Sequence, residues 1–309
     1  LKNWVCQPLK DVKSILERQN SISELVEDVE TRKNIVDSLE KVYDIQRLAT
    51  RMSNSSASPR DFISLKESLF ALPEILDESL KLNSNPFEKV LTYRGEIEQF
   101  ATLIDKTIVD DPPIVIKEGG IIKSGVSGEL DYFRDLLTGG EEWIQKYAEE
   151  EREKTGIKNL KVTSNKVFGY FIEVTNANLS MVPANYIRKQ TIANGERFIT
   201  DELKKHEDDV MSAKFKSTEL EYRLFTDFRE YSKEFVSKIR EIAECIAKVD
   251  IYSSLAEIAV ENNYCKPEID ESDDFVVKNG RHPVLEKILP LGEYVANDLE
   301  LRILTGPNM

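Results

Sequence analysis

Between Gly195 and Pro267 the chain contains neither glycine nor proline. These two residues are the strongest local interruptions of regular structure. Leu220, Leu224, Phe228, Tyr231, Phe235, Ile239, Ile242, Ile246 and Val249 follow one another at steps of three or four, which is the spacing of one helix face. Thr200 stands where an N-cap is needed, and Asp201 and Glu202 fall in the first turn, where the helix dipole favours acid. A continuous helix of roughly 60 residues would be about 90 Å long at ~1.5 Å per residue. Broken once or twice, it still exceeds the ordinary globular length of ~12 residues. Such an element is an arm, and whatever pairs with it sets the rest of the fold.

A partner precedes it. A helix is predicted from about Glu129 to Lys154, with Gly139-Gly140 as a weak point, and it can pair antiparallel with the long one. Between the two helices the pattern changes. Leu160-Lys161-Val162-Thr163 alternates, Ser164-Asn165-Lys166 reads as a turn, and Phe168, Tyr170, Ile172 and Val174 share one face of a strand. Tyr186–Ile192 and Arg197–Ile199 read as further extended pieces. The chain therefore goes out along one helix, makes a small β module and returns along the other.

Upstream the pattern is helical. Ile15, Leu16, Ile22, Leu25, Val26 and Val29 form one run, and Ile35, Leu39, Val42, Ile45 and Leu48 form another that ends in Ser53-Asn54-Ser55-Ser56. Short helices are predicted near Arg60–Phe70, Glu74–Leu82 and Phe87–Asp105. Asp110-Asp111-Pro112-Pro113 ends that pattern, and Ile114–Ile116 with Ile121–Lys123, around Gly119-Gly120, reads as a small hairpin. Downstream of Cys265-Lys266-Pro267, strands are predicted at Phe275–Val277 and Leu299–Leu304.

Composition matters chiefly through where the charge lies. The net charge is −14, which argues against a nucleic-acid binder. Residues 154–205, however, carry nine Lys/Arg against four Asp/Glu, a balance of +5 that leaves −19 for the remainder. An acidic body repels DNA, so contact would be confined to this island. Lys158, Lys161, Lys166, Arg188, Lys189 and Arg197 lie there among Asn165, Asn176, Asn178, Gln190 and Asn194, residue types that neutralise or donate to phosphate. No zinc finger or recognition helix is visible, so the mode implied is backbone contact. On composition alone the island reads equally well as ordinary solvated surface.

Other groups point to less. Cys6, Cys245 and Cys265 fit no metal spacing and read as reduced thiols of a cytosolic protein. His206 and His282 are far apart and read as no metal site. No segment approaches the ~18 consecutive apolar residues of a membrane span. The start, Leu1-Lys2-Asn3-Trp4, lacks an initiator Met and a signal peptide and reads as the beginning of an excised piece. Gly280-Arg281-His282-Pro283 has no partner nucleophile or acid and reads as a structural turn. Thr305-Gly306-Pro307-Asn308-Met309 after an apolar strand opens like a phosphate-binding loop, but such a turn alone does not name one.

Taken together, these segments resemble the MutS family of DNA mismatch repair ATPases. The resemblance is carried by Gly280–Glu286, Tyr294-Val295-Ala296-Asn297 and Leu304–Met309 at the C-terminal end. In the β module it is carried by Phe168–Val174, Tyr186–Thr191 and Asn194–Ile199, followed by Glu202-Leu203 and Glu207-Asp208. Arg18-Gln19 and Asp111-Pro112-Pro113 with Glu118-Gly119-Gly120 also fit. The resemblance implies a mainly α fold with a small β module. Residues 1–153 and 206–264 would form a long-helix core and lever bundle. Residues 154–205 would form a β-rich clamp inserted at the tip of a two-helix arm, and 265–309 the start of an α/β P-loop ATPase domain, truncated inside its phosphate-binding loop.

For sites, the resemblance implies DNA contact by Lys161, Lys166, Arg188, Lys189, Asn194 and Arg197; Ala193 stands where some relatives have a basic residue. It implies nucleotide contact by Tyr294, against adenine, and by Gly306, Pro307, Asn308 and Met309. The parent would be a cytoplasmic, DNA-dependent ATPase using ATP and Mg²⁺. It would act as a homodimer on mismatched duplex DNA and meet downstream repair proteins, with no membrane partner. This piece, without the loop's Lys and the Mg²⁺-holding acid, is expected to bind no cofactor well and to hydrolyse no ATP. Two other readings are a MutS homologue acting on branched or recombination DNA and a non-enzymatic helical scaffold arm.

Overall fold

The computed structural model describes residues 1–165, 169–272, 274–290 and 293–301. They fall into two compact units. One comprises Leu1–Arg32 and Leu82–Ser84 with the segment from Ile251 on, and the other Lys33–Lys81 and Asn85–Asp250.

The first unit begins with α1 (Lys2–Cys6) and α2 (Val12–Glu27), whose N-cap Asp11 accepts the Ser14 amide at 2.8 Å. The Arg18 guanidinium lies 3.6 Å from the centre of the Trp4 ring, and Tyr252 flanks the same ring. The unit ends in a two-stranded antiparallel ribbon, β5 (Phe275–Gly280) and β6 (Asn297–Leu301), with the short α12 (Leu285–Ile288) between them. The strand predicted at Leu299–Leu304 is described only to Leu301; the rest lies outside the described residues.

The second unit is mostly helical. α3 (Val29–Leu39) leads into it, followed by α4 (Ile45–Ser53) and α5 (Pro59–Ser79). Ser58 and Asp61 cap α5 reciprocally, with Pro59 in the position where its missing N–H is not needed. Two helices were expected here, and one forms. Pro73 removes one hydrogen bond from its middle, but Leu69, Leu72, Ile75 and Leu76 on both sides are all buried, and that packing carries the helix through. The run expected over 35–48 is instead split between α3 and α4. The helix expected over Phe87–Asp105 becomes α6 (Glu88–Leu91) and α7 (Arg94–Thr107).

The predicted hairpin over 114–123 does not form. Ile116–Glu118 is a 3-10 turn, and Ile122 bridges instead to Ile108, with the Val109 amide on the Ile121 carbonyl. Burial goes with it: Ile121 and Ile122 are fully buried, whereas Ile114 is 78% exposed and forms no bridge among the described residues. Gly119 lies at φ +79°, and a Cβ there would meet the Glu221 carboxylate at 3.4 Å.

The two-helix arm is built from α8 (Gly128–Thr138) and α9 (Gly140–Thr155), which break at Gly139, and α10 (Asp201–Ser232). Thr200 caps α10 through the Leu203 amide. A 3-10 turn at Lys233–Phe235 separates α10 from α11 (Val236–Asn262). At this junction the buried Ser232 hydroxyl donates to the Arg229 carbonyl at 2.7 Å. Phe235 then stacks on Phe100 of α7 at 4.0 Å, and Phe62 of α5 meets Phe225 and Phe228 edge-on.

Candidate nucleic-acid interface

Between α9 and α10 the chain forms β1 (Lys161–Asn165), β2 (Gly169–Thr175), a 3-10 segment (Asn176–Met181), β3 (Ile187–Ile192) and β4 (Gly195–Ile199). They make one antiparallel sheet in the order β1-β2-β4-β3. Residues directly opposed across such strands share a face. Val162, Ile172 and Phe198 oppose one another, and that face packs on Tyr147 and Trp143 of α9 and Leu203 of α10. Gly195 begins β4 because a Cβ there would lie 2.2 Å from the Val174 carbonyl oxygen.

Buried polar pairs tie the sheet to the helices. The Tyr186 hydroxyl donates to the Glu151 carboxylate at 2.5 Å, and Glu151 also holds Lys154 at 2.9 Å. The Tyr147 and Thr200 hydroxyls share a hydrogen bond of 2.5 Å. Burial pushes the Tyr147 hydroxyl up to about 12 and raises Tyr186 further, an effect Glu151 reinforces. Neither hydroxyl anchor, Tyr186–Glu151 nor Tyr147–Thr200, shows in the sequence pattern, since each joins residues more than thirty positions apart.

His206 lies flat on Trp143, with ring centres 3.7 Å apart, and its Nε2 finds no partner among the described residues. Burial lowers its pKa, opposed only by Asp209. The unfolded chain therefore takes up the proton first as pH falls. Stability from this stack is complete above the ordinary histidine pKa of ~6.5 and is lost as pH drops through the lower folded value. The melting temperature is expected to fall between pH 7.5 and 5.5 in the wild type, and less in His206→Phe. An equal fall in both chains would refute the assignment.

The opposite face carries a row across all four strands: Lys161, Glu173, Arg197 and Gln190 are paired in register. Lys161 is exposed on the edge strand β1. Arg197 donates through Nε to Glu173 at 3.2 Å and through a terminal nitrogen to Gln190 at 2.9 Å, and it covers the buried Phe171 ring at 4.3 Å. Arg188, on the other edge strand, opposes Phe198 and so belongs to the packed face, where it meets Glu196 at 3.4 Å and donates to Thr191. The register skips between Arg188 and Gln190, making Lys189 the extra residue of a β-bulge, with its side chain exposed. Asn194 is exposed in the β3–β4 turn, its carbonyl accepting the Asn176 amide. Asn178 uses its amide on Asn159. Lys166 lies outside the described residues.

In the first unit, Gly280–Pro283 is a structural turn. Arg281 donates to the carbonyls of Asn262 and Asn263, closing the end of α11. His282 Nδ1 accepts the amides of Val284 and Leu285, and the His282 amide donates to the Tyr294 hydroxyl at 2.6 Å. Tyr294 is thus held half-buried against the turn. Gly306, Pro307, Asn308 and Met309 lie outside the described residues. Among the described residues no group of three or more His, Cys, Asp or Glu is placed to hold a metal, and no helix is long and apolar enough to cross a membrane.

A family model described as MutS domain III matches residues 1–256. The DNA mismatch repair protein MutS of Clostridium tetani is 42% identical over 317 residues, covering 100% of this chain and 36% of the relative. Those of Listeria welshimeri and Lactobacillus delbrueckii subsp. bulgaricus are each 42% identical over 316 residues, covering 100% of this chain and 37% of the relative. The chain thus spans a little over a third of the length of these relatives. On the family match and these identities, the chain belongs to the MutS family and carries its domain III.

Proposed function

We propose that the four-stranded sheet is a clamp that holds duplex DNA by its phosphate backbone, in a protein that repairs mismatches. The observation that carries the reading is the +5 balance of residues 154–205 within a chain of net charge −14. Attraction to a polyanion is thereby confined to one module, which sits on two helices. Lys161, Arg188, Lys189 and Asn194 are the proposed contacts, with Lys166, five positions after Lys161 in sequence, and Arg197 within the same sheet. Residues on both faces and both edges suit a groove-spanning backbone contact more than a single flat base-reading face.

The proposed organisation is a core and lever over 1–153 and 206–264, the clamp over 154–205 and the start of an ATPase domain over 265–309. Tyr294 would stack on adenine, a role that its half-buried ring, fixed through its hydroxyl, fits. Gly306, Pro307, Asn308 and Met309 would open the phosphate cradle. ATP and Mg²⁺, when bound, would bias that domain between two states. The helices would carry the bias to the clamp, since a small rotation of a rigid element moves its far end through a long arc. A homodimer would close two clamps around one duplex.

A titration of fluorescent duplex with this chain at several salt concentrations tests the clamp. If ~3–5 phosphates are neutralised, log K falls with log[salt] at a slope of roughly −3 to −4. Absence of duplex binding at ~50 mM salt would refute the reading. It would favour instead a scaffold arm that docks a protein, for which Met211, Phe215 and Tyr222, exposed on α10 beside a groove of about 590 Å³, offer a surface.

A further inference from the structure

Arg197 is unlike the other cations of the sheet. Its side chain is 22% exposed, against 61% for Arg188. Three parts of its planar fork are engaged at once: its central carbon over the Phe171 ring, Nε on Glu173 and one terminal nitrogen on Gln190. Phosphate is held best by two adjacent guanidinium N–H groups together. Each bidentate edge of this fork shares a nitrogen with an internal partner.

The partner Gln190 has a particular place. It is the residue that ends the bulge: Arg188 opposes Phe198, Gln190 opposes Arg197, and Lys189 is the residue in between. A bulge re-aims the side chain it carries, and its direction is only as fixed as the residues that close it. Arg197 grips the closing residue from the neighbouring strand.

We propose that Arg197 is a positioning residue. Through Gln190 it fixes the bulge that presents Lys189 at the sheet edge, and it neutralises no phosphate itself. For its effect on DNA this rests on the clamp reading.

Salt dependence separates the two roles, because the slope counts phosphates neutralised: a Lys189 that is less firmly aimed still neutralises its phosphate, only with less affinity, and the slope stays. Lys189→Gln should reduce the slope by about 0.9. Arg197→Gln should weaken duplex binding several-fold at about 50 mM salt with the wild-type slope. Arg197→Lys should lose as much, because an ammonium cannot stack flat while donating to Glu173 and Gln190 together. Gln190→Leu should reproduce the loss, and the Arg197→Gln, Gln190→Leu double variant should add nothing to it. A slope reduced by about 0.9 in Arg197→Gln and restored in Arg197→Lys would overturn the proposal.

A second readout needs no DNA. In the free chain, amide hydrogen exchange along Ile187–Ile192 should quicken in both Arg197→Gln and Gln190→Leu. Unchanged exchange overturns the positioning role whatever the duplex titration gives. If the wild type binds no duplex, the clamp reading falls and exchange still decides Arg197. If Arg197→Gln fails to fold, Gln190→Leu carries both measurements.

Discussion

Glu221→Ala is expected to destabilise the helical unit by about 3 kcal/mol, at the lower end of what breaking a buried ion pair costs. Glu221 sits on α10 and is 2% exposed. Its carboxylate accepts the Ile121 amide at 3.0 Å and pairs with Arg134 of α8, which also donates to the Ile122 carbonyl at 2.7 Å. One side chain thus joins α8, α10 and the Gly119–Ile122 loop. Alanine leaves a buried amide without its acceptor and a guanidinium without its main partner. Asp131, 3.7 Å from Arg134, remains as a second carboxylate, which is why the lower end of the range applies.

Glu221→Gln keeps an acceptor of the same shape and should lose only about 1–2 kcal/mol. Urea unfolding followed at Trp143, in a Trp4→Phe background, reports on this unit, since the chain has two tryptophans and Trp4 lies in the other. An alanine variant within about 1 kcal/mol of wild type would show that the pair is not a structural hub.

The long helices α10 and α11 are legible because their signal is local and repeated. Leu220 through Val249 keep helical spacing with no glycine or proline between, and Thr200 stands immediately before the acidic first turn, where an N-cap is needed. The interruption at Lys233–Phe235 is not legible: no glycine or proline marks it, and the adjoining Ser232, bonded back to Arg229, has counterparts such as Thr218 and Thr226 inside the unbroken α10. The hairpin over 114–123 was misread for a related reason. Ile114-Val115-Ile116 has a strand's composition, but strand formation needs a partner surface, and the neighbouring Ile121-Ile122 found theirs at Ile108.

The candidate interface divides in the same way. Its charge and its strands are matters of composition and alternation, and both were read. Its faces are matters of register, and they were not. In a regular strand Lys189 would oppose Arg197; because a bulge falls between Arg188 and Gln190, Gln190 takes that place and Lys189 becomes the extra residue. Phe171 interrupts the alternation of Tyr170, Ile172 and Val174, yet it is buried, because Arg197 covers it from the next strand. That cover comes from 26 positions along the chain, and no window of sequence contains it.

Reversing Arg188 and Lys189 together to glutamate is expected to weaken duplex binding on the order of 100-fold at ~50 mM salt and to flatten the salt slope by roughly 2. Two lost phosphate contacts at ~0.9 each account for the slope, and repulsion from two new carboxylates adds to the loss of affinity. Both side chains are exposed on an edge strand, so no buried charge is created. A reversed residue 188 would, however, face Glu196, which Arg188 now meets at 3.4 Å. The neutral pair Arg188→Gln, Lys189→Gln removes that local repulsion and should give the same change of slope with a smaller loss of affinity. The competing account is that these charges, with Lys161 on the other edge, keep the sheet from pairing with another chain. It makes the opposite prediction: self-association of the neutral variant by sedimentation, with duplex affinity and slope unchanged. A wild-type slope in both variants would assign Arg188 and Lys189 to that protective role and remove them from the clamp.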